Sequence, residues 1–466
     1  MAFAMLLPAI VDLADDNPDW RIFVHSAIFT GMISGLVLMA TQNHNVRFSP
    51  RLGFLLTASL WLTAAFLGAL PLYFSHLPIS FAGAFFEAMS GITTTGSTVL
   101  VGLDNMPRGV LLWRSLLCWI GGIGFVGLAL LLLPSLRVGG IQLFHMESSD
   151  KSEKILPRIN QIALGILLAY VGLSALCMLS YFLAGMSMFD AINHGMTTLA
   201  TAGFSTHDTS LGFYAHNRLL LVISTIFMLL AALPFVLYIK AAMPRRLSSL
   251  VDPQVTLFLI IVVGFSFTLA AVLRVSDGLP FGDSLVIASF NFVSVITTTG
   301  YATEDYSLWG PVSIGIFFLA SFMGGCAGST SGGIKMNRLI ILWRLTVTNL
   351  TRLIMPHAVV KIRYGETEVS TEAAQTVLLF FFLYMASLIL GAMVLATLGL
   401  DFVSAFTGAL TALSNVGPGL GDTIGPVGNF STVSDPALWV LSYLMLAGRL
   451  EIVTIVILFT RSFWTR

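Results

Sequence analysis

The chain has 466 residues, 56% of them apolar and only 10% charged, with 23 basic residues balanced by 23 acidic ones. Soluble domains carry about 25% charged residues, so this composition, with a mean hydropathy of +0.90, excludes a soluble enzyme, a secreted disulfide scaffold and a disordered protein. Zero net charge offers no basic face to nucleic acid, and the class that remains is a polytopic helical membrane protein whose constant partners are membrane lipids.

In chain order, the first apolar run ends at Asp12 and is too short to cross a bilayer, which takes about 20 residues. Either the first helix is short or sequence upstream of it is absent. No basic n-region or small-residue cleavage site marks a cleavable leader. Long apolar segments follow near 22–41, 52–75, 110–133, 159–184, 217–240, 254–274, 310–350, 374–398 and 437–460. Each can span a hydrocarbon core about 30 Å thick. Between them lie shorter segments near 80–92, 188–200, 283–296 and 402–413. These read as re-entrant, which a bilayer tolerates only where protein or water surrounds them.

Most of the Lys and Arg residues fall in one set of loops, including Arg47, Arg51, Arg137, Lys151, Lys154, Arg158, Lys240, Arg245, Arg246 and the run from Arg338 to Arg363. The opposite set is acidic, with Asp104, Asp208, Glu304, Asp305 and Asp422, and holds only Arg21, Arg108, Arg114, Arg218 and Arg274. The positive-inside rule makes the first set cytoplasmic, so the short segments enter from the outer face. Cys118, Cys177 and Cys326 lack metal-ligand spacing and read as small buried hydrophobes.

The chain repeats itself four times as spanning helix, short segment, Gly-containing turn, spanning helix. The turns are ITTTGS around Gly96, LATAGFS around Gly203, ITTTGY around Gly300 and LSNVGPG around Gly417, spaced by 107, 97 and 117 residues. The four copies run in the same direction and can surround one axis, whereas an inverted-repeat transporter alternates. A dehydrated cation such as K⁺ needs oxygens in place of its water, and consecutive backbone carbonyls supply them. Gly takes the positive φ such a turn requires without steric penalty. The carbonyls come from Thr94-Thr95, Thr201-Ala202, Thr298-Thr299 and Asn415-Val416, and the C-terminal end of each short helix adds partial negative charge.

These turns, with GGCAGSTSGGIK (324–335) and GRLEIVTIVILFTRSFW (448–464), resemble the Trk/Ktr/HKT superfamily of K⁺ transporters, and most closely its bacterial TrkH/TrkG potassium-uptake subunits. The resemblance runs from about residue 20 to the C-terminus. It implies an all-α integral membrane fold of four M1–pore helix–filter–M2 repeats in pseudo-fourfold arrangement, preceded by N-terminal helices. The divisions expected are 1–47 for the N-terminal helices, then repeats over 48–137, 138–246, 247–363 and 364–466. The filter would be Thr94, Thr95 and Gly96; Thr201, Ala202 and Gly203; Thr298, Thr299 and Gly300; and Asn415, Val416 and Gly417. Two departures stand out. The family begins with a complete extra helix, and it often has a small apolar residue where this chain has Ser97. In the family's plant members, Ser in place of the first filter glycine goes with Na⁺ transport, so Gly96 favours K⁺.

The stretch with Gly324, Gly325, Gly328, Gly332 and Gly333 is a poor helix in any solvent. At mid-membrane it lines a cavity or is covered by protein, and it reads as a flexible loop obstructing the path; a close-packed helix face is the alternative. Arg449 sits in the last apolar segment, where a charge costs at least about 2.5–3.5 kcal/mol, so it faces the path against this loop or joins a salt bridge between helices. Lys335 is a second barrier or snorkels. Glu87 could hold filter backbone, while Asp190, Asp283 and Asp401 read as helix caps. His194 reads as a hydrogen-bonded structural residue. The G-x-G-x-x-G at 122–127 lies inside a span rather than after a strand, so it is no dinucleotide site, and no catalytic motif accompanies it. The expected activity is K⁺ translocation, not enzymatic turnover. The resemblance implies a homodimer in the cell inner membrane, bound to a cytosolic TrkA-like regulatory subunit. The basic segments 137–158 and 338–363 are its docking candidates, unless they merely obey the positive-inside rule. A Na⁺- or H⁺-coupled symporter of the same fold is the alternative.

Overall fold

The structure, a computed structural model, describes residues 1–42, 49–131, 155–241, 252–358, 360–365 and 367–465. Arg47, Arg137, Lys151, Lys154, Arg245, Arg246 and Arg466, and with them most of the 137–158 docking candidate, lie outside the described residues. Among the described residues the chain is almost entirely helical, with one two-stranded hairpin, Arg363–Tyr364 against Thr367–Glu368.

Two helices, Ala2–Ala14 and Trp20–Thr41, precede the repeats. The ingoing helices of the four repeats are Pro50–Phe74, Ile155–Leu183, Pro253–Asp277 and Thr371–Thr397. Ser49, Asp252 and Ser370 cap three of them with side-chain oxygens on backbone N–H groups, and Pro50 and Pro253 open two at a position whose N–H has no helical partner anyway. Four short helices follow: Phe81–Ile92, Met188–Leu199, Phe281–Ile296 and Phe402–Ser414. Ser80, Ser187 and Asp401 cap the first, second and fourth; the third starts at Pro280 without a side-chain cap. Outgoing helices begin at Arg108, Arg218, Pro311 and Asp435.

Packing closes these elements into a ring. Each short helix lies between the outgoing helix of its own repeat and that of the preceding one, and the outgoing helix of repeat four returns to the short helix of repeat one. The buried apolar residues form two large clusters. One joins repeats one and four to the N-terminal helices, and the other joins repeats two and three. Outward faces stay apolar, as with Leu38, Met39, Leu168 and Leu390. Among the described residues, five helices are long and apolar enough to cross a membrane, or seven if two bent pairs each count as one span. Such a surface is stable only in a lipid solvent, and the architecture is that of a multi-pass membrane protein.

Three outgoing segments are not straight spans. The stretch 310–350 breaks into Pro311–Phe322 and Met336–Ile354, at the glycine-rich run. The stretches 217–240 and 437–460 read as single spans from composition, but both are broken. Arg218–Ala232 turns by 93° into Phe235–Ala241, and Asp435–Arg449 turns by 109° into Val453–Phe459. Pro234 accounts for the first break, because its ring displaces the preceding turn and it has no N–H to donate. The second has no proline: Glu451 and Ile452 adopt left-handed φ of 61° and 37°.

Candidate functional site

The four turns share one backbone design. Each short helix ends in a residue in the left-handed region, which follows the cap in the first three and is itself the cap in the fourth: Thr94 (φ 54°), Thr201 (50°), Thr298 (57°) and Asn415 (56°). Two hydrogen bonds recur each time. The N–H of that residue donates three residues back, and the next N–H, on Thr95, Ala202, Thr299 and Val416, donates five residues back to Ser90, Thr197, Ser294 and Thr411. This is the hydrogen-bonding of a Schellman helix end, usually built on Gly. Using Thr instead costs about 1–3 kcal/mol per position, so the surroundings must hold the strain. Two residues on, Gly96, Gly203, Gly300 and Gly417 again have positive φ, 87°, 69°, 87° and 109°.

The glycines are required by more than φ. A Cβ on Gly96 would overlap the carbonyl oxygen of Ala202, one on Gly203 that of Thr299, and one on Gly300 that of Val416; on Gly417 it would stand 2.8 Å from that of Thr95. The contacts run from repeat one to two, two to three, three to four and four back to one. Each glycine thus lies against the carbonyl just before the glycine of the next repeat. A cavity opens beyond them on the acidic side, lined by all four glycines with Ser97, Arg114, His207 and Asp208.

The turns are braced from behind. Arg114 and Glu87, 1% and 0% exposed, pair at 2.7 Å. Glu87 also accepts from the Val99 N–H at 2.9 Å and from the Thr98 hydroxyl. Arg114 donates to the Ser205 carbonyl of repeat two at 3.0 Å and lies over the Phe204 ring. In repeat three, Ser294 donates to the Tyr301 carbonyl at 2.6 Å, and the Tyr301 hydroxyl bonds Thr197 of repeat two at 2.6 Å. Repeats four and one meet through Ser97, which donates to the Gly417 carbonyl at 2.8 Å, and Asn415, whose Nδ2 donates to Thr95 Oγ1 at 3.0 Å. The Phe430 N–H donates to the Thr98 carbonyl at 2.8 Å across the same boundary.

On the basic side the residues 323–335 cross beneath the turns. The Gly332 N–H donates to Thr298 Oγ1 at 2.7 Å, and a Cβ on Gly332 would overlap the Ser414 carbonyl. A Cβ on Gly324 would overlap the Gly332 carbonyl, and one on Gly325 would stand 2.6 Å from the Ser331 hydroxyl and 2.9 Å from the Ala232 carbonyl. The Gly328 carbonyl accepts from the Phe235 N–H at 3.0 Å, and Gly333 has φ of 64°. Thr330 donates to the carbonyls of Leu199 and Ala231, and its own carbonyl accepts from Arg449 Nη1 at 2.8 Å. Lys335 Nζ donates to the Ser331 carbonyl. Arg449 and Lys335 are 2% and 6% exposed, so both charges are held inside protein.

The sequence-derived residues therefore gather in one column: a ring of four turns, with the glycine-rich crossing and Arg449 directly below. Asp401 caps its helix through the Val403 and Ser404 N–H groups. The capping expectation is corrected for two other aspartates. Asp190 sits in the first turn behind the Ser187 cap and accepts from Thr206 and Tyr214, and Asp283 pairs with Arg218. His194 is bonded through both ring nitrogens, to the Asp190 carbonyl and Ser205 Oγ. The three cysteines are free and buried. Sequence reasoning missed Arg114, counted among loop charges but buried within a helix, and the Arg338–Glu451 ion pair beside the last break. Their partners lie 27 and 113 residues away.

Compared with known proteins, residues 21–465 match the TrkH family, described as cation transport proteins. The Trk system potassium uptake protein TrkI of Halomonas elongata is 43% identical over 469 residues, covering 100% of this chain and 94% of that protein. The Trk system potassium uptake protein TrkH of Escherichia coli K12 is 35% identical, covering 99% and 95%. The crystal structure of the potassium transporter TrkH from Vibrio parahaemolyticus superposes with a TM-score of 0.90 at 34% identity, covering 99% of this chain and 96% of that one. The chain belongs to the TrkH family, a family of membrane transport proteins rather than enzymes.

Proposed function

We propose that this TrkH-family chain is the ion-conducting subunit of a Trk-type potassium-uptake system in the cell inner membrane, with K⁺ as its cargo. One observation carries the reading: the cyclic contact of each turn glycine with the preceding carbonyl of the next repeat, which gathers backbone oxygens around one axis. Carbonyl rings of this kind replace the hydration shell of a dehydrated cation. Thr94–Gly96, Thr201–Gly203, Thr298–Gly300 and Asn415–Gly417 form the selectivity filter. Four short-helix C-termini directed at the axis favour positive charge there, and the acidic outer loops concentrate cations at the mouth.

The 324–334 crossing is the gate. It lies under the filter on what the basic-loop bias makes the cytoplasmic side, fastened to repeats two, three and four by the hydrogen bonds of Thr330, Gly332 and Arg449. Arg449, with Lys335 beside the loop's end, places positive charge in the path and opposes cation passage while the loop is closed. The relatives are named as parts of a Trk system, and the nucleotide-sensing component of that system would be a cytosolic TrkA-like subunit acting on a homodimer of this chain.

The test is uptake of radiolabelled Rb⁺ into K⁺-loaded proteoliposomes with Na⁺ as competitor. Rb⁺ should enter, K⁺ should compete better than Na⁺, Gly300→Ser should weaken that preference, and Arg449→Ala should raise flux. Absence of uptake with the regulatory partner present, or an unchanged preference in Gly300→Ser, rejects the assignment.

A further inference from the structure

The gate loop has one more tether, and it leads away from the pore. The Ala327 N–H, in the middle of the loop, donates to Gln254 Oε1 at 2.8 Å. Gln254 lies in the first turn of the Pro253–Asp277 helix, and its Nε2 donates to Asp252 Oδ2 at 2.9 Å. The other carboxylate oxygen, Asp252 Oδ1, caps the helix through the Gln254 N–H at 3.0 Å and accepts from the Tyr364 hydroxyl at 2.6 Å. Tyr364 belongs to the two-stranded hairpin. Gln254, Asp252 and Tyr364 are 5%, 6% and 8% exposed, so water competes little for these bonds.

The chemistry gives the chain of bonds a direction. A backbone N–H only donates and a carboxylate only accepts, so the Gln254 amide has one orientation that satisfies both neighbours. Moving Asp252 pulls on Nε2 and, through the rigid amide plane, on the oxygen that holds Ala327. Asp252 is in turn positioned by Tyr364, and the hairpin packs close enough to Pro253 that a Cβ on Gly365 would sit 3.3 Å from the proline ring. The hairpin begins at Arg363, the last residue of the basic segment 338–363, on the face expected to be cytoplasmic. A displacement applied there has a hydrogen-bonded route of three side chains to the gate.

We propose that Gln254 is a positioning residue of the gate loop, and that the hairpin Arg363–Glu368 sets its hold on Ala327 through Tyr364 and Asp252. This rests on the reading of 324–334 as the gate. It assigns the hairpin as a cytoplasmic input to the pore, separate from the Arg449 contact at Thr330. Coupling along this route shows as non-additivity between variants of its members.

The experiment uses the full-length protein with two readouts. One is Rb⁺ flux in proteoliposomes. The other is the rate at which N-ethylmaleimide labels Cys326, which neighbours Ala327 and is fully buried, resolved by peptide mass spectrometry. Gln254→Leu, which keeps bulk and removes both hydrogen bonds, should raise flux and labelling rate by about two- to tenfold, as expected for one hydrogen bond. Tyr364→Phe should raise both by a smaller factor, and should add nothing in the Gln254→Leu background. Gln254→Asn keeps a neutral amide but is one methylene too short to bridge Asp252 and Ala327, so it should raise the labelling rate as Gln254→Leu does and no longer respond to Tyr364→Phe. This second variant covers the case in which Gln254→Leu fails to fold. Wild-type labelling in Gln254→Leu, or a Tyr364→Phe effect that multiplies independently in either Gln254 background, overturns the proposal. If wild-type protein carries no Rb⁺, the transport reading fails instead, and the labelling arm still decides whether the tether exists.

Discussion

The Cα of Gly96 lies against the carbonyl oxygen of Ala202 with no room for a side chain between them. Because the same relationship recurs around the ring, the glycines serve as spacers that let neighbouring turns approach. Gly96→Ala must therefore push the Ala202 carbonyl off its position. The expected result is at least a tenfold loss of K⁺ preference over Na⁺, equivalent to about 1.4 kcal/mol, read by Na⁺ competition against Rb⁺ uptake. Gly417→Ala, where the nearest oxygen is at 2.8 Å, should lose less. Equal effects at the two positions would refute the spacer role.

Glu87 and Arg114 are both buried and both committed to backbone and hydroxyl groups of the first two turns. Removing one charge strands the other in a low-dielectric site, which costs about 3–5 kcal/mol. Glu87→Gln should lower the thermal unfolding midpoint in detergent, and Glu87→Gln with Arg114→Met should recover much of the loss. A single variant as stable as wild type would show that the pair is dispensable.

His207 links the outer loops of the first two repeats through Asp104, at 2.5 Å. Burial alone would lower the His207 value, but the carboxylates of Asp190 and Asp104 outweigh it and hold the imidazole above its ordinary 6.5. Partial burial likewise opposes Asp104, yet the His207 hydrogen bond prevails and holds that carboxyl below its ordinary 3.8. The raised histidine contributes stability that is complete below 6.5 and is lost as pH rises through its folded value. The depressed aspartate contributes stability present above 3.8 and lost as pH falls through its folded value. Thermal stability followed against pH should decline on the alkaline side of 6.5 in wild type, and His207→Gln should flatten that decline. An identical slope in both proteins would place the titration elsewhere.

Thr330 fastens the crossing loop to two carbonyls of repeat two. Thr330→Val keeps the shape and removes the donor, worth about 1 kcal/mol. Flux should rise by about fivefold with K⁺ preference unchanged, since the turns above are untouched. A fall in flux, or a change in preference, would contradict a role confined to the loop.

The parts of this architecture visible in the sequence are those set by local pattern. The four short helices, the glycine after each and the break at 324–335 are written in hydrophobic length and in residues that cannot continue a helix. What stayed hidden depends on distant partners. Thr94, Thr201 and Thr298 carry no compositional mark of a left-handed backbone, because the surrounding packing imposes it. Arg114 looks like a charge at a helix mouth until Glu87 is seen beside it. The break after Arg449 has no proline to announce it, and the ion pair of Glu451 with Arg338 beside it joins residues from different repeats. The hairpin at 363–368 is too short to show a strand period.

A chain laid out in a circle has to meet itself once. Repeats one to two, two to three and three to four are joined by peptide bonds as well as by contact, but four and one are joined by non-covalent contacts alone, among them the hydrogen bonds of Ser97 with Gly417, Thr95 with Asn415, Thr98 with Phe430 and Ser80 with Asp435. These bonds act as the clasp of a necklace, and the first of them spans 320 positions of sequence. Contacts that distant form late, after the loop entropy between them has been spent. A nascent chain that has delivered three repeats to the bilayer holds an open arc, and no closed oxygen ring exists until its last quarter arrives.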